Sequence, residues 1–237
     1  MTHCNRVSEV SYNNEITSWR FRVKIHKIYP FYSYVTGSGP HWTYIPADED
    51  GTKMEMTICR GYEDRFRGLE KQEGKWVEIF RVDVHRAYPG FQATKSRFTL
   101  NATRYMQVHI IDPLNNRLYM DFKNIREISH MNHRDRNYLV DTMGVVFNTE
   151  SHFDDPARPK MSRIKCVATG DHAYAFRDGL ENMRGRGQVI VVLKMWRTEG
   201  GLSDFRFNPL LPEVEEFRQS LLRSDPYVHR HGAIGPL

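Results

Sequence analysis

Between Lys75 and Leu100 the sequence runs K-W-V-E-I-F-R-V-D-V-H-R-A-Y-P-G-F-Q-A-T-K-S-R-F-T-L. Trp76, Glu78, Phe80, Val82 and Val84 interleave with Val77, Ile79, Arg81, Asp83 and His85. That is the period of two of a strand, with apolar residues on both sides at its start, so both faces are covered there. Tyr88-Pro89-Gly90 breaks the pattern, and a second short run returns through Arg97, Phe98 and Leu100. The loop between the arms carries Arg86, Tyr88, Phe91, Lys95 and Arg97. Cations and aromatic faces on one hairpin suit a flexible polyanion with exposed bases. A solvated hairpin with ordinary aromatics at its tip accounts for the same residues without a ligand.

Upstream, S-W-R-F-R-V-K-I-H-K-I-Y-P predicts a long half-buried strand. Trp19, Phe21, Val23 and Ile25 form its apolar face, and Arg20, Arg22, Lys24 and His26 its basic one. The basic row fits a phosphate-tracking face or a charge-protected edge strand. Trp42 and Tyr44 open a second strand, which ends at the Asp50-Gly51 turn, and Lys53 to Cys59 is a third. Gly61 to Lys71 predicts a short helix with Tyr62, Phe66 and Leu69 on one stripe. Pro113 and the asparagines beside it break the pattern, so 112–137 is expected as a linker.

The same order then returns: strands over Tyr138–Phe147 and Met161–Thr169, a helix over Gly170–Met183 with Tyr174, Phe176 and Leu180 as buried candidates, and an apolar strand over Gln188–Trp196. Pro212 to Leu222 has proline in its first turn, early acids and apolar residues at helical spacing, a closing helix. Residues 1–15 are expected as a flexible leader and 224–237 as a flexible tail. The folded parts are then 16–111 and 138–223.

The 237 residues suffice for one large domain or two small ones, and 34 Lys+Arg against 29 Asp+Glu leave a net charge of +5. A mean hydropathy of -0.62 and the lack of a long apolar run exclude a membrane-spanning helix. Cys4, Cys59 and Cys166 stand far apart, so neither a disulfide framework nor a zinc site is written. The chain reads as intracellular and reduced, with no cofactor. His229 and His231 lack a third ligand, Asp154 and Asp155 sit in a proline-flanked loop, and no nucleotide-binding or hydrolase motif occurs.

Strand, strand, strand, helix, strand, strand is the order of the OB-fold, a five-stranded Greek-key barrel. Thr57–Phe66 (T-I-C-R-G-Y-E-D-R-F) and Val167–Phe176 (V-A-T-G-D-H-A-Y-A-F) both resemble the passage from strand three into the helix of replication protein A large-subunit domains. L-V-D-T-M-G-V-V-F resembles the opening of that subunit's second central domain. F-N-P-L-L-P-E-V-E-E-F-R-Q-S-L (Phe207–Leu221) resembles its end in the plant replication-protein-A-like families. The resemblance spans Trp19 to Leu222. It implies an all-β chain of two tandem OB barrels with a closing helix: a non-catalytic, nuclear protein that binds single-stranded DNA, or RNA, in replication, repair, recombination or telomere maintenance.

The residues expected to carry binding are Arg20, Arg22, Lys24, Trp42, Lys53, Arg86, Phe91, Lys95, Arg97 and Phe98, with Lys165, Arg184 and Arg186 in the second barrel. Departures from the family pattern cut against this. The aromatic that ends strand three falls at Cys59 and at Thr169, and an expected cation is Glu55. They favour the alternative, an accessory module docking a protein through its second barrel or closing helix, with weak or no nucleic-acid binding. No small-molecule substrate is implied.

Overall fold

The computed structural model describes residues 3–11, 19–32, 36–58, 61–88, 92–132, 138–146, 166, 170–183, 189–196 and 204–224. The chain divides into two compact units, Met1–Tyr119 with Asn137–Leu139, and Met120–Arg136 with Val140–Leu237.

In the first unit β1 (Trp19–Phe31), β2 (His41–Ala47), β3 (Glu55–Thr57), β4 (Trp76–Arg86) and β5 (Phe98–Asn101) close into a five-stranded barrel. Its closure rests on β1. The first half of that strand pairs with β4, Trp19 opposite Val82 through Lys24 opposite Trp76, and its second half pairs with β2. A bulge between Ile25 and Lys27 bends the strand from one partner to the other. β3 lies parallel to β5, which returns antiparallel to β4, and β6 (Gln107–Ile111) extends the sheet along Trp76–Phe80. Trp19, Phe21, Val23 and Ile25 fill the interior with Val77, Ile79, Val82 and Leu100. The alternation predicted for β1 is therefore the real one. A second bulge sits at Arg81, whose φ of 55° lies in the left-handed region, and it shifts the inward positions of β4 from Val77 and Ile79 to Val82 and Val84.

Three expectations change. Residues 3–11 are no loose leader: Val7 and Val10 are buried in the barrel core, and the Val7 amide donates to Asp48 Oδ2 at 3.0 Å. Two apolar residues three apart are too few to make a period, so the sequence hid them. The predicted helix over Gly61–Lys71 is two 3-10 turns, Glu63–Phe66 and Leu69–Lys71, separated at Gly68, whose φ of 97° breaks the helix; Leu69, Tyr62 and Phe66 still pack on the core. The stretch 112–137 is also more than a linker, since part of it belongs to each unit.

Within the first unit, the residues after β6 cover the outer face of β1 and β4. Trp76 Nε1 donates to the Asn115 carbonyl at 3.1 Å, and Lys24 Nζ to the Arg117 carbonyl at 2.8 Å. Tyr119 meets Trp76 edge-on, with ring centroids 6.3 Å apart, and its hydroxyl donates to the Glu49 carbonyl. Gly51, at φ +87°, lies under this ring, and a Cβ there would come within 2.8 Å of Tyr119 Cδ1. Gly51→Ala is expected to destabilise the first unit by roughly 1–3 kcal/mol, read from a urea melt.

The second unit holds an antiparallel sheet of three strands, β7 (Val140–Val146), β8 (Val189–Trp196) and β9 (Asp204–Phe207). Helices α1 (Ile125–Ser129), α2 (Asp171–Glu181) and α3 (Pro212–Ser224) accompany it. Ile190, Val192 and Val214 centre its core, and Met120, Phe122, Leu211 and Phe217 pack against them. The buried Asp141 carboxylate accepts the Asp121 and Met195 amides, both at 2.8 Å, and so ties the incoming chain to β7 and β8. On α2, Phe176 joins Phe205 and Phe207 in an aromatic cluster, whereas Tyr174, a predicted buried position, is exposed beneath Arg177. Among the described residues this sheet does not close. The strand predicted over Met161–Thr169 lies almost wholly outside them.

Candidate nucleic-acid interface

The barrel wall sorts side chains by register. Tyr29 stands opposite Thr43, Thr43 opposite Thr57, Thr57 opposite Asn101 and Asn101 opposite Asp83. These positions alternate with the inward Ile28, Tyr44, Met56 and Leu100, so they form one polar row on the outer side of the wall, crossing all five strands over roughly 19 Å; Tyr29 and Thr43 are buried in it, Thr57 and Asn101 half-buried, and Asp83 exposed. Glu55, Thr99 and His85 make a second row beside it.

The 4–5 loop stands at one side of this face. Arg86 and Phe98 are cross-strand partners at its base, and the Ala87 amide donates to the Arg97 carbonyl at 2.9 Å. Lys95 and Arg97 are exposed, and Tyr88 is 78% exposed. Tyr32, at the start of the 1–2 loop, is 58% exposed. Phe98 is half-buried against the core, so only part of its ring is open to a base.

The same loop is held down at Ala93. Its amide donates to Glu55 Oε1 at 3.2 Å, the oxygen that also accepts from the Tyr29 hydroxyl at 2.9 Å, and its carbonyl accepts from the Leu139 amide at 3.3 Å. Tyr138 Oη approaches Gln92 Oε1 at 3.4 Å. Ala93 and Thr94 are consequently buried. Glu55 thus stands on the outer face and also fixes the loop beside it.

The other sequence-predicted residues lie apart. Arg20 and Arg22 project from the β1–β4 side of the barrel, where both converge on Glu78: Arg20 Nε donates to Oε1 at 2.9 Å and Arg22 Nε to the same oxygen at 3.2 Å. Arg20 also covers the Phe80 ring, 4.5 Å from its centroid. Burial pushes the Glu78 carboxyl up, but hydrogen bonds from Arg20, Arg22 and Cys4 outweigh it and hold the group below its ordinary value. Lys24 is buried beneath the Arg117 carbonyl, and desolvation lowers its pKa. Arg86 lies roughly 26 Å of extended strand beyond Glu78, past the bulge at Arg81.

The expected trough of Arg22, Arg86 and Phe98 is therefore split. Arg86 and Phe98 stand together, and Arg22 belongs to another surface, because the closed barrel turns one strand's two ends onto different sides. Trp42 packs against the core as part of the wall, and Lys53 is half-buried at the bridge to Ala47. Phe91, Lys165, Arg184 and Arg186 lie outside the described residues, as do Cys59 and Thr169.

A cleft that sequence reasoning missed opens at the far end of the polar row. It is lined by Tyr62, Arg81, Asp83, Ala102, Thr103, Arg104 and Tyr105, with a volume of about 590 Å³. Its only trace in the text is the adjacent Arg104-Tyr105 pair. Among the described residues no three His, Cys, Asp or Glu side chains are grouped to hold a metal ion, and no helix is long and apolar enough to cross a membrane.

No curated protein matches the chain. A chain from a replication protein A heterotrimer solved bound to single-stranded DNA is similar in shape, with a TM-score of 0.57 at 15% identity over 98% of this chain and 56% of that one. This chain thus spans just over half the length of that relative. DNA-binding domain A of replication protein A from S. cerevisiae gives a TM-score of 0.34 at 16% identity, over 48% of this chain and 97% of that one. The replication factor A related protein of Methanobacterium thermoautotrophicum gives 0.32 at 17% identity, over 48% and 94%. The first of these speaks for the fold, and the closed 1-2-3-5-4 barrel is indeed an OB barrel. The family model for the domain of unknown function DUF223 matches residues 10–130, more than half of the sequence and the whole of that barrel, so the chain belongs to the DUF223 family, here with an OB-fold.

Proposed function

We propose that this chain binds single-stranded nucleic acid, DNA in the first instance, without catalysing a reaction on it. The observation that carries this is the base of the 4–5 loop. Arg86 faces Phe98 there, Lys95 and Arg97 are exposed beside them, and Tyr88 stands in solvent, all along the edge of a polar barrel face. Aromatic faces take up unpaired bases of any sequence and guanidinium groups follow the backbone, so such a site selects single strands over duplex. The shape shared with a replication protein A chain supports the same reading, as does the net positive charge. The finer reading is a tandem protein, its second unit a second OB barrel, acting in the nucleus in replication, repair, recombination or telomere maintenance.

Oligo(dT) titrations at two salt concentrations test this. Affinity is expected to fall steeply with salt, and an Arg86→Ala, Phe98→Ala double variant is expected to lose about 10–100-fold, one phosphate contact and part of one stacked base. One observation favours a second reading. Glu55 is acidic on the face that a polyanion would cross, and the described part of that strand, Glu55 to Ile58, has no aromatic. A folded sample with no oligo(dT) binding at low salt would assign the barrel to protein docking instead.

A further inference from the structure

The cleft at the end of the polar row is built rather than incidental. Arg65 reaches under the loop after β5 and donates to the carbonyls of Arg104 and Met106, the latter at 2.8 Å. Thr103 Oγ1 donates to the Arg81 carbonyl at 2.8 Å and accepts the Tyr105 amide at 3.1 Å, and the Met106 amide closes the turn on the Thr103 carbonyl. The backbone bearing Arg104 and Tyr105 is therefore fixed to the bulge bearing Arg81. The two side chains themselves are exposed, with the Arg104 guanidinium 4.6 Å from the centroid of the Tyr105 ring. Tyr62 is also in the lining, and Asp83 is its one acid beside the two guanidinium groups of Arg81 and Arg104.

A ligand for this lining needs negative charge for two arginines and a flat face for two tyrosines. The turn that carries Arg104 and Tyr105 is held before a ligand arrives, which lowers the ordering cost of binding, and the cleft is open to solvent on one side, as a unit of a longer strand requires. Asp83 is the exposed end of the row and lines the cleft, so the open part of the barrel face and the cleft adjoin. We propose that the Tyr62–Arg81–Arg104–Tyr105 cleft holds one nucleotide unit, its phosphate on Arg81 and Arg104 and its base on the tyrosines, as the end station of a single strand crossing the face. This rests on the function proposed above. A free nucleoside monophosphate carries the same chemistry.

The test is the full-length chain with oligo(dT) of 6 and 12 nucleotides and with thymidine monophosphate. Wild type is compared with an Arg81→Gln, Arg104→Gln variant and, separately, with Tyr105→Ala; a thermal melt establishes folding. The double variant is expected to bind the 12-mer about tenfold or more weakly while the 6-mer changes less than twofold. Its salt slope for the 12-mer is expected to fall by roughly 0.7, one phosphate contact on a single strand. Tyr105→Ala is expected to weaken the 12-mer about fivefold or more. A shift of the Tyr105 ring resonances with thymidine monophosphate alone supports the nucleotide site and makes the free nucleotide its source. Equal losses at both lengths would keep the nucleotide site and overturn its position at the end of the path. Unchanged binding of both oligonucleotides in the variants, with no monophosphate shift, overturns the proposal. If wild type binds neither oligonucleotide, the proposed function fails, and the monophosphate shift alone decides the cleft.

Discussion

Glu78→Ala is expected to destabilise the first unit by about 2–4 kcal/mol, because it leaves two guanidinium groups side by side with their shared acceptor gone. Glu78 is only 8% exposed and accepts from Arg20, Arg22 and the Cys4 thiol. Both arginines stand in neighbouring register on β1, so their repulsion would fall on the strand that closes the barrel. The same group sets an acid limit. Its carboxyl is depressed in the folded state, so its contribution is fully present above the ordinary value of 4.5 and is lost as pH falls through the lower folded value. Urea melts of wild type are therefore expected to weaken below about pH 4.5, and Glu78→Ala to remove that part of the slope. A variant as stable as wild type at neutral pH, with an unchanged acid profile, would show that the arginines are held by solvent instead.

Glu55→Lys is expected to raise affinity for oligo(dT) about 30-fold at low salt. A carboxylate near a phosphate costs about 1 kcal/mol at 4 Å in high dielectric, and a cation there contributes as much with the opposite sign. The gain should shrink as salt is added. Glu55 also accepts the Ala93 amide, so Glu55→Ala is expected to speed hydrogen exchange at that amide about tenfold or more without ligand, through loss of one charge-assisted hydrogen bond. The two measurements separate the two roles. Faster exchange with unchanged affinity would mean that Glu55 positions the loop while the strand passes elsewhere. A fall in affinity on Glu55→Lys would fit an interface whose partner is cationic.

The split of the predicted binding set follows from the difference between period and curvature. Alternation in Trp19–Ile25 states which residues turn inward, and the interior contains them; in Trp76–Val84 it holds only on either side of Arg81. The same alternation assigns Arg20, Arg22 and Lys24 to an outer face, and they are there. It does not say which side of a closed barrel that face becomes, nor that Glu78 waits across the strand pair. A bulge is equally silent in the text: Arg81 reads as one more residue of the alternation, yet its left-handed backbone changes the facing of everything after it, Arg86 included.

Local composition by itself determined the strands of the barrel, the hairpin that brings Arg86 to Phe98, the closing helix at Pro212 and the likeness to replication protein A domains. Each depends on neighbours a few residues apart, where side-chain period and backbone preference act directly. Tertiary structure alone decided that Val7 and Val10 enter the core, that Glu78 and the Arg117 carbonyl take up the basic row of β1, and that Glu55 holds Ala93. It alone gathered Tyr62, Arg81, Arg104 and Tyr105 into one cleft. Those contacts join residues far apart in the chain, and they exist only once barrel closure has brought strands of distant sequence side by side.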